Sequence, residues 1–435
     1  MPEKSMPNHI ACRICRSPLS VPFLDFGSTP LANSFLKSPA EAKEEASYPL
    51  AVTVCQSCGL VQLTHVVSAE LLYREYIYVS STSEGVRAHA ETLAERLVRR
   101  YGWGRSSLAV EIASNDGTVL KAIARRGVKV LGVEPARNIA ALAEADGVPT
   151  INDFFSRDVG KALARDYGKA TAILGRHVFA HIDDLHGCME GVTAALHDDG
   201  VLTIEVPYLG DLLDKLEFDT IYHEHLSYFA LGPIITLCKS HGLKLVDVER
   251  VGLHGGSVIL HIQHERAAAE PSAVVEQMCR EEQVRALCEP DTWVRFAQDV
   301  EAWKSQFEDL IDSLVRSGAR LIGYGAAAKA NTLLNYCPAA ARSLSAILDR
   351  SPHKYGRYTP GTHIPVKPAD GWEAEKATHI VILAWNFQDE IVRQMRAFAD
   401  AGGRFVQVLP QPAVLSDTTA RRSRRCSPMR PPRFS

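Results

Sequence analysis

No apolar run in the 435 residues approaches the roughly 20 needed to cross a bilayer. The opening stretch, MPEKSMPNHIACRIC, has no apolar core of the kind a secretory leader needs. An excess of one charge is missing too. The 48 Lys and Arg stand against 51 Asp and Glu, for a formal net charge of -3, so the basic surface that nucleic acid favours is not expected. With neither leader nor span, the chain is expected to be cytoplasmic, and its ten cysteines to be thiols or metal ligands rather than disulfides. The remainder is an ordinary globular composition, 46% hydrophobic and 23% charged. At about 100–200 residues per domain the length suggests two or three domains.

Four segments follow from composition and periodicity. Residues 1–75 hold four cysteines in two pairs, with prolines between them. Residues 76–265 alternate β-branched runs (SLAVEIAS, VKVLGVEP, TAILGRH, GVLTIEVP) with helical patterns such as DGTVLKAIARRG and RNIAALAEADG. That alternation predicts a parallel sheet covered by helices, closed by an antiparallel pair, LKLVDVERV and GGSVILHIQ. Residues 266–412 begin with a polar helical stretch and continue as a second α/β unit, with strands in ARLIGYGAAA, LSAILDR, THIVILAW and RFVQVLP. Residues 413–435 form a basic tail whose last sixteen, ARRSRRCSPMRPPRFS, carry six arginines and no acid. It is expected to be solvated and disordered, with a nucleic-acid or membrane role as the alternative.

Cys12-Arg-Ile-Cys15 and Cys55-Gln-Ser-Cys58 are two CxxC pairs. Each presents two thiolates from one tight turn, and together they supply the four soft ligands that tetrahedral Zn²⁺ prefers. A CxxC alone also serves redox chemistry, but neither precedes a thioredoxin-like helix pattern. Four protein ligands leave no open position, so a structural zinc is expected, contributing folding energy to a segment with little core of its own.

Glu111-Ile-Ala113-Ser-Asn115-Asp116-Gly117 follows a strand and opens a helix. It has the spacing of the E-x-G-x-G-x-G loop of S-adenosylmethionine-dependent methyltransferases, with Ala113 and Asn115 at two glycine positions. Small residues there let a cofactor approach the backbone. The next strand ends in Glu134-Pro135, where an acid is placed to bind ribose hydroxyls. The same acid would suit NAD, but the loop lacks the G-x-G-x-x-G that cradles a pyrophosphate. Asp153 and Phe154 after the third strand offer an adenine an acceptor and an aromatic wall, or else core packing. His177, at the end of the fourth strand, lies either near the methyl donor or in a packed hydrogen-bonded position.

The stretch EFDTIYHEHLSYF concentrates Tyr222, His223, Glu224, His225 and Tyr228 in seven positions. On a strand the two histidines would share a face opposite Glu224. Alone, the string fits a structural or metal role as readily as proton transfer. Downstream, Gly323-Tyr324-Gly325-Ala-Ala-Ala328 fits G-x-G-x-x-A between a strand and a helix, and Asp349 ends the next strand. Its N–H groups and helix N-terminus would suit any diphosphate, whether of NAD or of a sugar nucleotide, and Lys329 adds a charge. His254-Gly-Gly-Ser is a turn, either sugar- or phosphate-facing or a simple hairpin connection. Lys354 and Arg357 either assist the diphosphate or lie on the surface.

Taken in order, CRIC…CQSC, EYIYVSSTS, EIASNDG, GVEP, HVFAHIDDLH, EFDTIYHEHLSYF, HGGSV, GYGAAAKANTLLNY and GRYTPGTHIPV resemble the sugar C-methyltransferases of deoxysugar and antibiotic biosynthesis. The resemblance covers residues 10–412. It implies an α/β protein with a small N-terminal zinc-binding domain, a central Rossmann-like methyltransferase domain and a C-terminal Rossmann-like domain. It also implies S-adenosylmethionine as cofactor, and a nucleotide-linked 4-keto-6-deoxyhexose, typically carried on dTDP, as substrate. Within it His225 is the base, assisted by Glu224 and Tyr222. Tyr76, His181 and the C-terminal loop with Lys329 help hold the sugar nucleotide; Tyr78, His254, Tyr324, Gly325 and Asn331 are read from their positions as further substrate contacts. No nucleic-acid or membrane partner is implied, and a monomer is expected. Where the family has EIGSNDG, this chain has Ala113.

The chemistry agrees. Carbon must become a nucleophile before it accepts a methyl group, and a C4 ketone acidifies the hydrogens at C3 and C5. C3 is the position the resemblance implies, with C5 the alternative. Because such a C–H is far less acidic than imidazolium (about 6.5), a base needs help from groups that stabilise the enolate oxygen. Tyr222, Tyr76 and His181 are the candidates. Two other classes remain: an NAD-dependent oxidoreductase using the GYGAAA loop, and a non-catalytic zinc-ribbon protein with degenerate α/β domains.

Overall fold

The computed structural model describes residues 11–76, 78–82, 84–252 and 255–416. His254 and the arginine-rich end from 417 lie outside the described residues. The chain forms two compact units that do not follow linear order. One gathers Met1–Asp25, Ala51–Leu212 and His223–Val294; the other gathers Phe26–Leu50, Leu213–Tyr222 and Arg295–Ser435.

Strands β1 (Leu24–Pro30), β2 (Ser47–Val54) and β3 (Val61–Leu63) belong to the cysteine-rich region, and the unit boundary falls within β1 and β2. In the first unit β4 (Leu108–Ile112), β5 (Lys129–Val133), β6 (Thr150–Ile151), β7 (Ala170–Arg176) and β8 (Leu196–Pro207) follow. Then come β9 (Ser227–Tyr228), β10 (Leu243–Val251) and β11 (Ser257–His264). Seven of them form one sheet in the order β10-β11-β8-β7-β4-β5-β6. β4 pairs in parallel with both β5 and β7, and β11 is antiparallel to β8 and β10. The near-continuous apolar run of β4 reflects burial on both faces. The chain moves outward from β4 to β5 and β6, then returns to β7 on the other side. This switch point lies at the carboxyl ends of β4 and β7, where open α/β sheets bind ligands.

Helices cover the sheet. In Glu84–Tyr101, Val86, Ala90, Leu93, Ala94 and Leu97 make a buried stripe at helical spacing, packed with Ala109, Val119, Ile123 and Ala172. Helices Arg157–Tyr167 and Leu185–Ala195 meet backbone to backbone. A Cβ on Gly160 would lie 2.3 Å from the Gly191 carbonyl oxygen, so neither position admits a side chain without separating the helices.

The second unit holds β12 (Leu321–Tyr324), β13 (Leu344–Asp349), β14 (Val366–Pro368), β15 (His379–Ile382), β16 (Arg404–Gln407) and β17 (Ala413–Val414). They are ordered β14-β13-β12-β15-β16-β17, parallel except for β17 against β16. The chain is thus still paired at 413 and 414, where the tail was expected to have begun. Among the described residues no helix is long and apolar enough to cross a membrane.

Candidate active site

Cys12, Cys15, Cys55 and Cys58 converge in the first unit with their sulfurs within 4.8 Å of one another. The tight turns do this: the Cys55 carbonyl accepts the Gly59 N–H at 2.8 Å and the Cys12 carbonyl that of Arg16 at 3.1 Å. Four soft donors at this spacing fit tetrahedral zinc.

The turn after β4 has the backbone that close cofactor approach needs. Ala113, Asn115 and Gly117 have φ of 51°, 50° and 72°, a left-handed run that costs a non-glycine residue energy. At Gly117 a Cβ would also meet Val148 Cγ2 at 2.8 Å. Glu134, at the end of β5, accepts the N–H of Asn115 at 2.8 Å and of Ala136 at 2.9 Å, so the acid holds the turn together. Pro135 lends its carbonyl to Asn152 Nδ2 at 3.2 Å. Asp153 is exposed and accepts the Phe154 N–H at 2.8 Å. The Phe154 ring lies under the Arg74 guanidinium, 4.5 Å from its centroid, so it stacks with a cation rather than filling the core.

Beside the turn lies a buried charge network that spacing did not reveal. Glu205 on β8 is fully buried and pairs with Arg176 at 2.9 Å, His89 at 2.9 Å and His177 at 3.5 Å. Burial pushes Glu205 up, but His177, His89 and Arg176 outweigh it and hold it well below the carboxylate range. His177 takes φ 51° and donates its N–H to the Glu205 carbonyl at 2.7 Å. Glu111 behaves oppositely. Burial pushes it up to about 8, only partly offset by Arg176 at 3.9 Å.

The candidate proton-transfer residues come together from three distant parts of the first unit. Tyr76 Oη donates to Glu224 Oε2 at 3.1 Å. Tyr73 Oη bridges His181 Nδ1 at 2.9 Å and the Glu224 carbonyl at 3.1 Å. The His181 and His225 rings lie 5.0 Å apart, edge to face, with Tyr228 6.3 Å beyond. Burial, with the neighbouring His177, pushes His181 down to about 4, so its ring is neutral near pH 7. The YHEH stretch is a turn here rather than a strand, so the alternation expected for a strand does not apply. Tyr73 was not singled out by the sequence; only its place three residues before Tyr76, one helical turn away, hints at a shared face.

The segment after Tyr76 fastens this cluster to the turn Ala113–Gly117. Ser80 N–H donates to Asn115 Oδ1 at 2.8 Å, Ser81 N–H to Asp116 Oδ2 at 3.1 Å, and Asn115 Nδ2 to the Tyr78 carbonyl at 3.1 Å. The Tyr78 ring itself is 46% exposed.

The remaining candidates belong to the second unit. Tyr222 ends the segment Leu213–Tyr222 counted with that unit. Tyr324 packs with Ile322, Leu348 and Ile382. Gly325 has φ 95°; its N–H is spent on the Leu348 carbonyl at 2.7 Å and that of Ala326 on Asp349 Oδ2 at 2.8 Å. Asp349 therefore staples its loop as Glu134 does. Lys354 donates to the Ala326 carbonyl at 2.6 Å. Lys329 Nζ lies over Trp385, 4.4 Å from the centroid, and is buried without a hydrogen-bond partner among the described residues. Trp385 Nε1 donates to the buried Asp219 at 2.7 Å. Burial pushes Asp219 up to about 6, against the Lys329 charge. Asn331 donates to the Ala32 carbonyl at 2.7 Å and leaves Oδ1 buried without a partner among the described residues.

A four-thiolate module, a methyltransferase-type sheet and a second Rossmann-like sheet define a C-methyltransferase. Family models agree along the chain: "Putative zinc binding domain" matches 12–73, "Methyltransferase domain" 86–248 and "C-methyltransferase C-terminal domain" 252–410. C-methyltransferase NovU of Streptomyces niveus is 38% identical over 410 residues, 93% of this chain and 96% of that one. The chain belongs to the S-adenosylmethionine-dependent sugar C-methyltransferase family. Among solved structures, magnesium protoporphyrin IX methyltransferase from Synechocystis PCC 6803 with bound SAM is 12% identical, covering 41% of this chain and 79% of its own, with a TM-score of 0.31. The PH0226 protein of Pyrococcus horikoshii OT3 is 14% identical, covering 43% and 94%, with a TM-score of 0.34.

Proposed function

We propose that the enzyme methylates C3 of a dTDP-linked 4-keto-6-deoxyhexose, with His225 as the base. The observation that carries this reading is the convergence of Tyr73, Tyr76, His181, Glu224 and His225 in the methyltransferase unit. That much proton-transfer capacity is superfluous for methylation at oxygen. It suits a substrate carbon that must first be ionised.

His225 takes the C3 proton, and the C–H electron pair moves through C3–C4 onto the ketone oxygen. Glu224, tied to Tyr76, keeps the turn carrying His225 in register. The phenol of Tyr76 is the proposed donor to the developing enolate oxygen. Neutral His181 holds substrate hydroxyls through its ring nitrogens. The turn Ala113–Gly117 with Glu134, Pro135, Asp153, Phe154 and His177 fits S-adenosylmethionine, which supplies a methyl group on a positively charged sulfur. Because those residues and Tyr76 are joined through Ser80, Ser81 and Asn115, donor and carbon nucleophile are held at fixed geometry. Lys329 is the proposed holder of the nucleotide diphosphate, since its Nζ is buried without a hydrogen-bond partner among the described residues and an anion would satisfy it; Gly325 and Asn331 have their N–H donors spent on the Leu348 and Ala32 carbonyls. On this reading the enzyme works in the cytoplasm as a monomer.

Incubation with ¹³C-methyl donor and dTDP-4-keto-6-deoxy sugars tests the assignment. A new C–CH₃ signal correlated to C3 is expected. A methyl group on C5, oxygen or nitrogen overturns the C3 assignment, and transfer without prior solvent exchange at the carbon overturns the role of His225.

A further inference from the structure

A metal knuckle needs its cysteines and a tight turn; the residues between the ligands are usually free to face water. Arg13, between Cys12 and Cys15, is instead 0% exposed. Burying a guanidinium is costly unless every donor is matched. Its Nε donates to Asp183 Oδ1 at 3.0 Å, and its Nη1 to Gln62 Oε1 at 3.0 Å and to the Leu63 carbonyl at 2.9 Å, while its Nη2 is buried without a partner among the described residues. Its backbone N–H also reaches Gln62 Oε1 at 3.1 Å.

Each partner leads straight to the proton-transfer cluster. Asp183 lies two residues beyond His181. Gln62 and Leu63 lie on β3, where Val61 pairs with Tyr228 and Gln62 with Ser227, and the Leu63 N–H donates to the Leu226 carbonyl at 3.0 Å. The Leu226 N–H in turn reaches the Ala180 carbonyl at 2.7 Å. The knuckle also touches the helix that follows Asp183, through His186 Nε2 and the Ile14 carbonyl at 2.8 Å. A carbonyl can only accept, so that nitrogen carries the proton.

We propose that Arg13 is a positioning residue for carbon methylation: by clamping Asp183 and β3 to the first knuckle, it sets the places of His181, Glu224 and His225. The zinc module is then part of the catalytic frame and not only a folding aid. This rests on the reading of His225 and its neighbours given above.

The test uses the full-length, zinc-loaded enzyme and the variants Arg13→Gln, Arg13→Lys, Asp183→Asn and the Arg13→Gln/Asp183→Asn double. A displacement of about 1 Å at the cluster is worth about a hundredfold in rate, and that loss of kcat is expected for Arg13→Gln. Zinc content should stay at wild type, and KM for donor and sugar nucleotide should change by less than about threefold. Arg13→Lys should recover part of the loss, since it keeps the charge but not the fork. The Asp183 side chain is 44% exposed, so Asp183→Asn should fold normally and still lose about tenfold in kcat; the double variant should be no slower than Arg13→Gln alone, because coupled residues are not additive. Wild-type kcat in Asp183→Asn, or in zinc-loaded Arg13→Gln, overturns the proposal. If Arg13 variants fail to hold zinc, Asp183→Asn decides alone. Solvent deuterium exchange at the sugar carbon separates the two layers. No exchange in the wild type overturns the functional reading itself, whereas wild-type exchange that persists unchanged in the variants overturns only the role of Arg13.

Discussion

Tyr76 Oη and Glu224 Oε2, 148 positions apart in the chain, meet at 3.1 Å. The bond ties the segment that grips the turn Ala113–Gly117 to the turn that carries His225. Tyr76→Phe removes it without changing shape. We expect kcat to fall by about 10²-fold, in the lower range for a proton-transfer group, with donor affinity nearly unchanged by calorimetry. Unchanged kcat would mean that Glu224 is held by other contacts.

His225→Asn should bind donor and sugar nucleotide with near wild-type affinity and lose about 10²–10⁴ in rate. Solvent deuterium exchange at the sugar carbon should vanish with it, as read by proton NMR. Exchange at the wild-type rate would move the base elsewhere in the cluster.

Glu111 gives stability a pH dependence of known sign. Its folded pKa, about 8, lies above the ordinary 4.5. Its contribution is therefore fully present below about pH 4.5 and is lost as pH rises through 8. Glu111→Gln stays uncharged throughout. Relative to wild type it should gain melting temperature at pH 8 and gain little at pH 5. An equal shift at both pH values would show that Glu111 is not the titrating group.

Gly117→Ala places a Cβ 2.8 Å from Val148 Cγ2 at φ 72°. A strained left-handed residue of this kind costs about 1–3 kcal/mol. The melting temperature should fall and donor affinity should weaken more than sugar-nucleotide affinity, as measured by titration calorimetry. Equal loss for both ligands would place the turn away from the donor.

Chelating the metal should expose the four thiols of Cys12, Cys15, Cys55 and Cys58 to a thiol reagent, because structural zinc supplies folding energy directly. Far-UV circular dichroism should retain most of its signal, as the seven-stranded sheet has its own core. Full protection of the thiols after metal removal would argue against a zinc site there.

The strands were legible because their buried faces force apolar runs: SLAVEIAS became β4, TAILGRH β7, and LKLVDVERV with GGSVILHIQ the antiparallel pair β10 and β11. The CxxC pairs and EIASNDG were legible as tight turns because such turns dictate their residues locally. Tyr73, Arg13, His89 and Glu205 carry no such signature. Each is ordinary in its own neighbourhood and acquires a partner only through folding: Arg13 finds Asp183, 170 positions on, and His89 finds Glu205, 116 positions on. The excursions of 26–50 and 213–222 into the second unit were equally hidden, because short segments carry no hydrophobic period that names their destination.

The β3–β9 ladder has a consequence for how the protein is made. Val61 and Gln62 pair with Val54 and Thr53 on one side, but on the other only with Tyr228 and Ser227, so this part of the chain cannot finish its sheet until some 165 further residues have emerged. At about 5–20 residues per second that is a wait of roughly ten to thirty seconds. During this interval the edge of β3 stands open to any passing strand, and a metal already captured by the four sulfurs would keep it in shape until its partner arrives.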